Sequence, residues 1–70
     1  MNTNDYIELE VYDNEVYFHT TPMTILKDDI INFYETTTFH KTPCTGLITK
    51  HLRCKADISY DVLKEKLGFK

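Results

Sequence analysis

Seventy residues of net charge −3, with two Gly, two Pro, two Cys and no Trp, make one domain at most, with a small core. The longest uninterrupted apolar run is Val16-Tyr17-Phe18, which excludes a transmembrane helix and the apolar stretch of a signal peptide. Gly46 and Gly68 stand far apart and the one serine, Ser59, has no glycine near it, so neither a phosphate-cradling loop nor a nucleophile elbow is present.

With no export signal, the expected location is cytoplasmic, with Cys44 and Cys54 as reduced thiols. Residues encoded by AT-rich codons far outnumber Gly, Ala, Arg and Pro. That bias points to a low-GC bacterium or its phage, where short free-standing proteins are common. Charge divides unevenly: residues 1–35 carry −7 and residues 36–70 carry +4. The division predicts two faces of opposite potential, or two halves that attract each other across the fold.

Residues 1–5 have no apolar anchor and are expected to be disordered, leaving 6–70 as a single small α+β domain. From Tyr6 to Tyr12 the chain alternates strictly, with Ile7, Leu9 and Val11 on one face and Tyr6, Glu8, Glu10 and Tyr12 on the other. Val16 and Phe18 alternate with Glu15, Tyr17 and His19. Asp13-Asn14 suits a two-residue type I′ turn. The predicted hairpin pairs Val11 with Val16 and Leu9 with Phe18, so that apolar faces apolar.

Thr20-Thr21-Pro22 is expected to end the second strand. Met23, Leu26, Ile30 and Phe33 then recur at the 3-4-3 spacing of a helical stripe, with Thr21 or Thr24 as N-cap. Thr36-Thr37-Thr38 ends that helix and begins a short strand through His40. Residues 42–55 admit both a helix, with Cys44, Leu47, Ile48, His51 and Cys54 on one face, and a strand; the helix is preferred. The stretch Thr21-Pro22 to Leu26 resembles Thr42-Pro43 to Leu47, and the two are read as similar helix starts. At the C-terminus Ser59 is a good N-cap, Ile58 and Leu63 make a hydrophobic staple, and Gly68 suits the left-handed C′ position with Phe69 packing back.

The predicted fold is therefore α+β, an N-terminal antiparallel β-hairpin packed against two or three helices, with a β-grasp-like sheet as the alternative. The predicted core is Ile7, Leu9, Val11, Val16, Phe18, Leu26, Ile30, Phe33, Leu47, Ile48, Ile58, Leu63 and Leu67. It is thin enough that a homodimer is compatible with it.

Four constellations bear on function. The outward hairpin face, with Tyr6, Glu8, Glu10, Tyr12, Glu15 and Tyr17, mixes tyrosines suited to interfaces with carboxylates that attract a basic partner; an ordinary solvated strand face is the plainer reading. His40, Cys44, His51 and Cys54 are residue types that bind zinc, but their spacing matches no zinc module, and no metal or other cofactor is assigned. Residues 46–67 have the outline of a helix-turn-helix in the basic half, though Arg53 stands where the turn glycine belongs. Cys44 with His40 or His51 has only Asp57 nearby to orient the pair, and no glycine-rich turn offers an oxyanion hole, so an enzyme is not expected. The reading that follows is a non-enzymatic protein-binding module. It would be a phage- or mobile-element-encoded inhibitor or modulator, docking its acidic, Tyr-bearing face on a host protein, such as a basic nucleic-acid-binding one. A helix-turn-helix-like DNA-binding regulator is the alternative; nucleic acid is otherwise disfavoured as a partner, and a membrane is not expected to be one.

Overall fold

The computed structural model describes residues 5–68. Five strands and one helix follow in order: β1 (Tyr6–Asn14), β2 (His19–Leu26), a 3-10 turn (Lys27–Asp29), β3 (Ile30–Thr37), β4 (Pro43–Thr49), β5 (Arg53–Ala56) and α1 (Tyr60–Lys66). The strands form one antiparallel sheet in the order β2-β1-β5-β4-β3.

This order forces the sheet to curl. β2 and β3 occupy opposite edges, yet only the three residues Lys27–Asp29 separate them. Four flat strand spacings would put the edges about 19 Å apart. The four residue steps from Leu26 to Ile30 reach at most about 14 Å. β2 and β3 are thus one long strand bent at a 3-10 corner, and its two halves bound a half-closed barrel. The Lys50 N–H donates to Asp29 O at 2.9 Å and ties that corner to the β4–β5 turn.

The concave side holds the core. Ile7, Leu9 and Val11 of β1, Ile25 of β2, Leu47 of β4 and Ala56 of β5 are buried together, and Leu63 of α1 closes over them. Met23, Ile30, Phe33, Cys54, Ile58 and Leu67 pack around this cluster. The helix starts as its sequence dictates. Ser59 Oγ accepts from the Val62 N–H at 3.3 Å, Asp61 lies in the first turn, and Gly68 follows at φ 87°. Ile58 and Leu63 both join the core, as a staple requires. The expected packing of Phe69 lies outside the described residues, as does the expected disorder of 1–5 except at Asp5.

The predicted architecture is corrected in three places. First, no helix covers 22–35. The stripe Met23, Leu26, Ile30, Phe33 fits helical spacing, but Thr24, Ile25 and Ile31 within it and Tyr34, Thr36 and Thr37 just after it are β-branched or aromatic and favour strand. The β-grasp-like alternative fails for the same reason, since it too keeps a helix after the hairpin. Second, 42–55 is strand, turn and strand. β4 is buried on both faces from Cys44 to Leu47, so it shows no alternation to read. Its Gly46 lacks the Cβ that would overlap the Tyr34 ring lying across it. A helix-turn-helix over 46–67 is thereby ruled out.

Third, the hairpin turns later than expected. Asn14 sits outside the turn and caps it, its Oδ1 accepting from the N–H groups of Val16 at 3.0 Å and Tyr17 at 3.3 Å. The Phe18 N–H reaches Glu15 O at 3.4 Å, and Phe18 itself takes the left-handed conformation at φ 54°. Val16 and Phe18 therefore leave the core, and Leu9 pairs with Met23 and Ile7 with Ile25. This register pairs β1 along almost its whole length. The expected one would have set Ile7 against Thr20.

Candidate functional site

Alternation along β1 places Tyr6, Glu8, Glu10 and Tyr12 on the convex face of the sheet, opposite the buried Ile7, Leu9 and Val11. Glu8 and Glu10 are exposed, while Tyr6 and Tyr12 are half-buried. Thr24 and Pro22 of β2 stand across from Glu8 and Glu10. On the other side the Asp57 N–H donates to Glu10 O at 2.8 Å, so a third exposed carboxylate borders the pair.

The upper part of the same face is bound into the fold. Lys55 Nζ lies 3.2 Å from Glu15 Oε1 and donates to Thr37 O at 2.8 Å, crossing β4 to reach the far edge. Burial raises the Tyr12 phenol above its usual pKa, and a hydrogen bond to Asp57 raises it further. The Cys44 thiol is also pushed up by burial, against the opposing pull of Lys55. Burial does the same to Cys54. Neither thiol is primed as a nucleophile. β5 runs beside β1, so Lys55 meets Glu15 within one surface.

The end of the sheet carries what the sequence did not reveal. The turn 15–18 meets the β3–β4 loop 38–42. His40 Nε2 donates to Val16 O at 2.7 Å, and the His40 ring stacks on Phe18 with centroids 5.1 Å apart. Tyr12 meets the edge of Phe18 at 6.3 Å. The loop is held by Thr38 N–H to Thr42 O and Lys41 N–H to Thr38 O, both at 2.9 Å, with Lys41 at φ 64°. Around this latch Tyr17 is 79% exposed, Phe39 69% and Phe18 46%. Of the six residues expected on the docking face, Tyr6, Glu8, Glu10 and Tyr12 share β1, Glu15 is tied down beside them, and Tyr17 stands at this aromatic end. Phe18, Phe39 and His40 join Tyr17. An Asn-capped turn that contains Tyr-Phe was the one available sign of them.

Asp13 links the two strands below the turn. Its carboxylate accepts from Thr21 Oγ1 at 2.7 Å and pairs with His19 Nδ1. The Thr21 bond, then the His19 bond, holds its pKa below the ordinary 3.8. A lowered carboxylate pKa adds stability that is present above the unfolded-state value and is lost as pH falls through the folded one. Thr21→Val is therefore expected to raise the Asp13 pKa and to flatten the acid side of the stability profile. Carboxyl NMR titration with thermal melts below pH 5 checks this, and an unmoved Asp13 would refute it.

His40 and His51 lie at opposite ends of β4, Cys44 faces the convex side, and Cys54 packs on the core, so the four are dispersed. Among the described residues no group of three or more His, Cys, Asp or Glu is placed to hold a metal, and no helix is long and apolar enough to cross a membrane. The chain matches no protein-family model, no curated protein and no solved structure at a significant level.

Proposed function

We propose that the protein is a small, non-enzymatic binding module that docks on a partner protein with a basic surface. It would work as a modulator that blocks or redirects that partner, in the cytoplasm, where its two cysteines stay reduced. The observation that supports this reading best is the aromatic end of the sheet. Phe18 and Phe39 are large, exposed and packed on the His40 ring, and Tyr17 stands next to Phe18 in the same turn. Aromatic side chains presented by a rigid scaffold are typical anchors of protein interfaces. Glu8, Glu10 and Asp57 lie on the adjoining convex face, where they would steer a basic partner into contact. The raised Cys44 and Tyr12 pKa values fit a structural role for those groups better than a catalytic one.

Glu8→Lys/Glu10→Lys is expected to abolish capture of the partner from lysate while the circular dichroism spectrum is unchanged, because both side chains are solvent-facing. Capture should survive nuclease treatment. Undiminished capture by the double variant would show that this face is not the docking surface. Nuclease-sensitive recovery would show that the partner is a nucleic acid.

A further inference from the structure

The core is shared between two parts of the chain. The β1–β2 hairpin supplies Ile7, Leu9, Val11 and Ile25, and the remainder supplies Leu47, Ala56 and Leu63. Neither part can bury its apolar face alone. They meet along the β1–β5 seam, where Val11 pairs with Ala56 and the Asp57 N–H donates to Glu10 O. They meet again at the turns, where Lys55 reaches Glu15 and His40 reaches Val16 O. The covalent link between the two parts is the 3-10 corner Lys27–Asp29.

Little holds that corner bent. It contains neither Gly nor Pro, takes no positive φ, buries none of its residues and has no side-chain cap. Leu26 and Ile30 on either side are already extended, at ψ 128° and 116°. Straightening the corner needs only a change of ψ at Lys27, Asp28 and Asp29, from about −25° to about 135°. The bonds lost are Ile30 N–H to Lys27 O and Lys50 N–H to Asp29 O. The long contacts of the Asp29 carboxylate, 4.0 Å to Lys50 Nζ and 3.7 Å to His51 Nε2, go with them. Thr24, Ile25, Ile30 and Ile31 around the corner favour extended backbone. A straightened corner makes β2 and β3 one continuous strand and carries the hairpin away from its own β5.

We propose that the chain exchanges its β1–β2 hairpin with a second copy: the corner opens, and β1 of each copy pairs with β5 of the other in the register seen here. Every seam and core contact between the two parts is then remade between copies, and only the corner changes. In dilute solution the monomer prevails, because the short corner holds the two parts at a high effective concentration; the exchanged dimer forms as protein concentration rises. Glu8 and Glu10 face water in both forms, so the exchange is independent of docking through them.

Two variants test it, Val11→Cys and Ala56→Cys, each in a Cys44→Ala/Cys54→Ala background. The two are unfolded together and refolded at about 1 mM, the scale of effective concentration that a short linker imposes. A covalent heterodimer is expected on a non-reducing gel, with the circular dichroism spectrum of the parent. Each chain carries one thiol, so only exchange brings the two together across the seam. Refolding about tenfold more dilute should lower the cross-linked share roughly tenfold, and neither variant alone should cross-link. Deletion of Asp28 and Asp29 leaves two residue steps, at most about 7 Å, where four now turn the corner. That variant should be dimeric at every concentration, whereas a glycine linker inserted after Asp28 should suppress the dimer. Absence of the heterodimer, equal cross-linking of the unmixed chains, a folded monomer after the deletion, or a dimer through the aromatic end that leaves the thiols apart would each overturn the proposal.

Discussion

Leu47→Ala is expected to lower the stability of the protein by about 2–5 kcal/mol. Leu47 is fully buried at the middle of β4, between Phe33 of β3 and Cys54 of β5. Truncation removes its transfer free energy and leaves a cavity that three hydrogen-bonded strands cannot collapse around. A chain of 70 residues has roughly 4–10 kcal/mol in total. The variant should therefore populate the unfolded state at room temperature or melt well below the parent. Urea unfolding monitored by circular dichroism measures the loss as a lower midpoint at unchanged slope. Leu47→Ile, which conserves volume, should lose less than about 1.5 kcal/mol. A loss below about 1 kcal/mol for the alanine variant would contradict a packed interior at this position.

Leu63→Ala is the second large effect, and it acts on a different part. Leu63 is the only buried residue of α1. A helix of seven residues is far shorter than the roughly 12–15 that an isolated helix needs. Its Ser59 cap and its dipole partners add only about 1 kcal/mol or so. Leu63 thus holds the helix on the sheet, and its loss should cost about 2–5 kcal/mol. The helix should be lost before the sheet, so amides of Leu63 and Leu67 exchange faster than those of Leu9 and Leu47. Val62→Ala, on the exposed side of the same turn, should change stability by less than about 0.5 kcal/mol. Equal effects of the two variants would mean that α1 is not anchored by Leu63.

What the sequence disclosed follows from where one face is buried and the other is wet. β1 alternates cleanly because Ile7, Leu9 and Val11 meet the core while Glu8 and Glu10 meet water. α1 is legible because Ser59, Leu63 and Gly68 each satisfy a local helix rule. β4 is illegible because Cys44 and Gly46 are as buried as Thr45 and Leu47. The long strand from His19 to Thr37 is illegible because its bend at Lys27–Asp29 brings apolar residues into helical spacing by coincidence. Of the functional surface, the acidic face of β1 could be read from alternation, though Glu15 turns out to be held by Lys55. The aromatic end could not, because Phe18 and His40 come together only when the turn and the β3–β4 loop meet, and that contact depends on the curl.

The seam between β1 and the four-residue β5 governs how such a chain reaches its native state. Two hairpins, β1–β2 and β3–β4, form from neighbours in the sequence, but Val11 and Ala56 must meet across most of the chain length. Loop-closure entropy opposes that meeting until the ladder and the interior packing form together. The shutting of the barrel is therefore the expected slow step of folding, with the short fifth strand as its clasp.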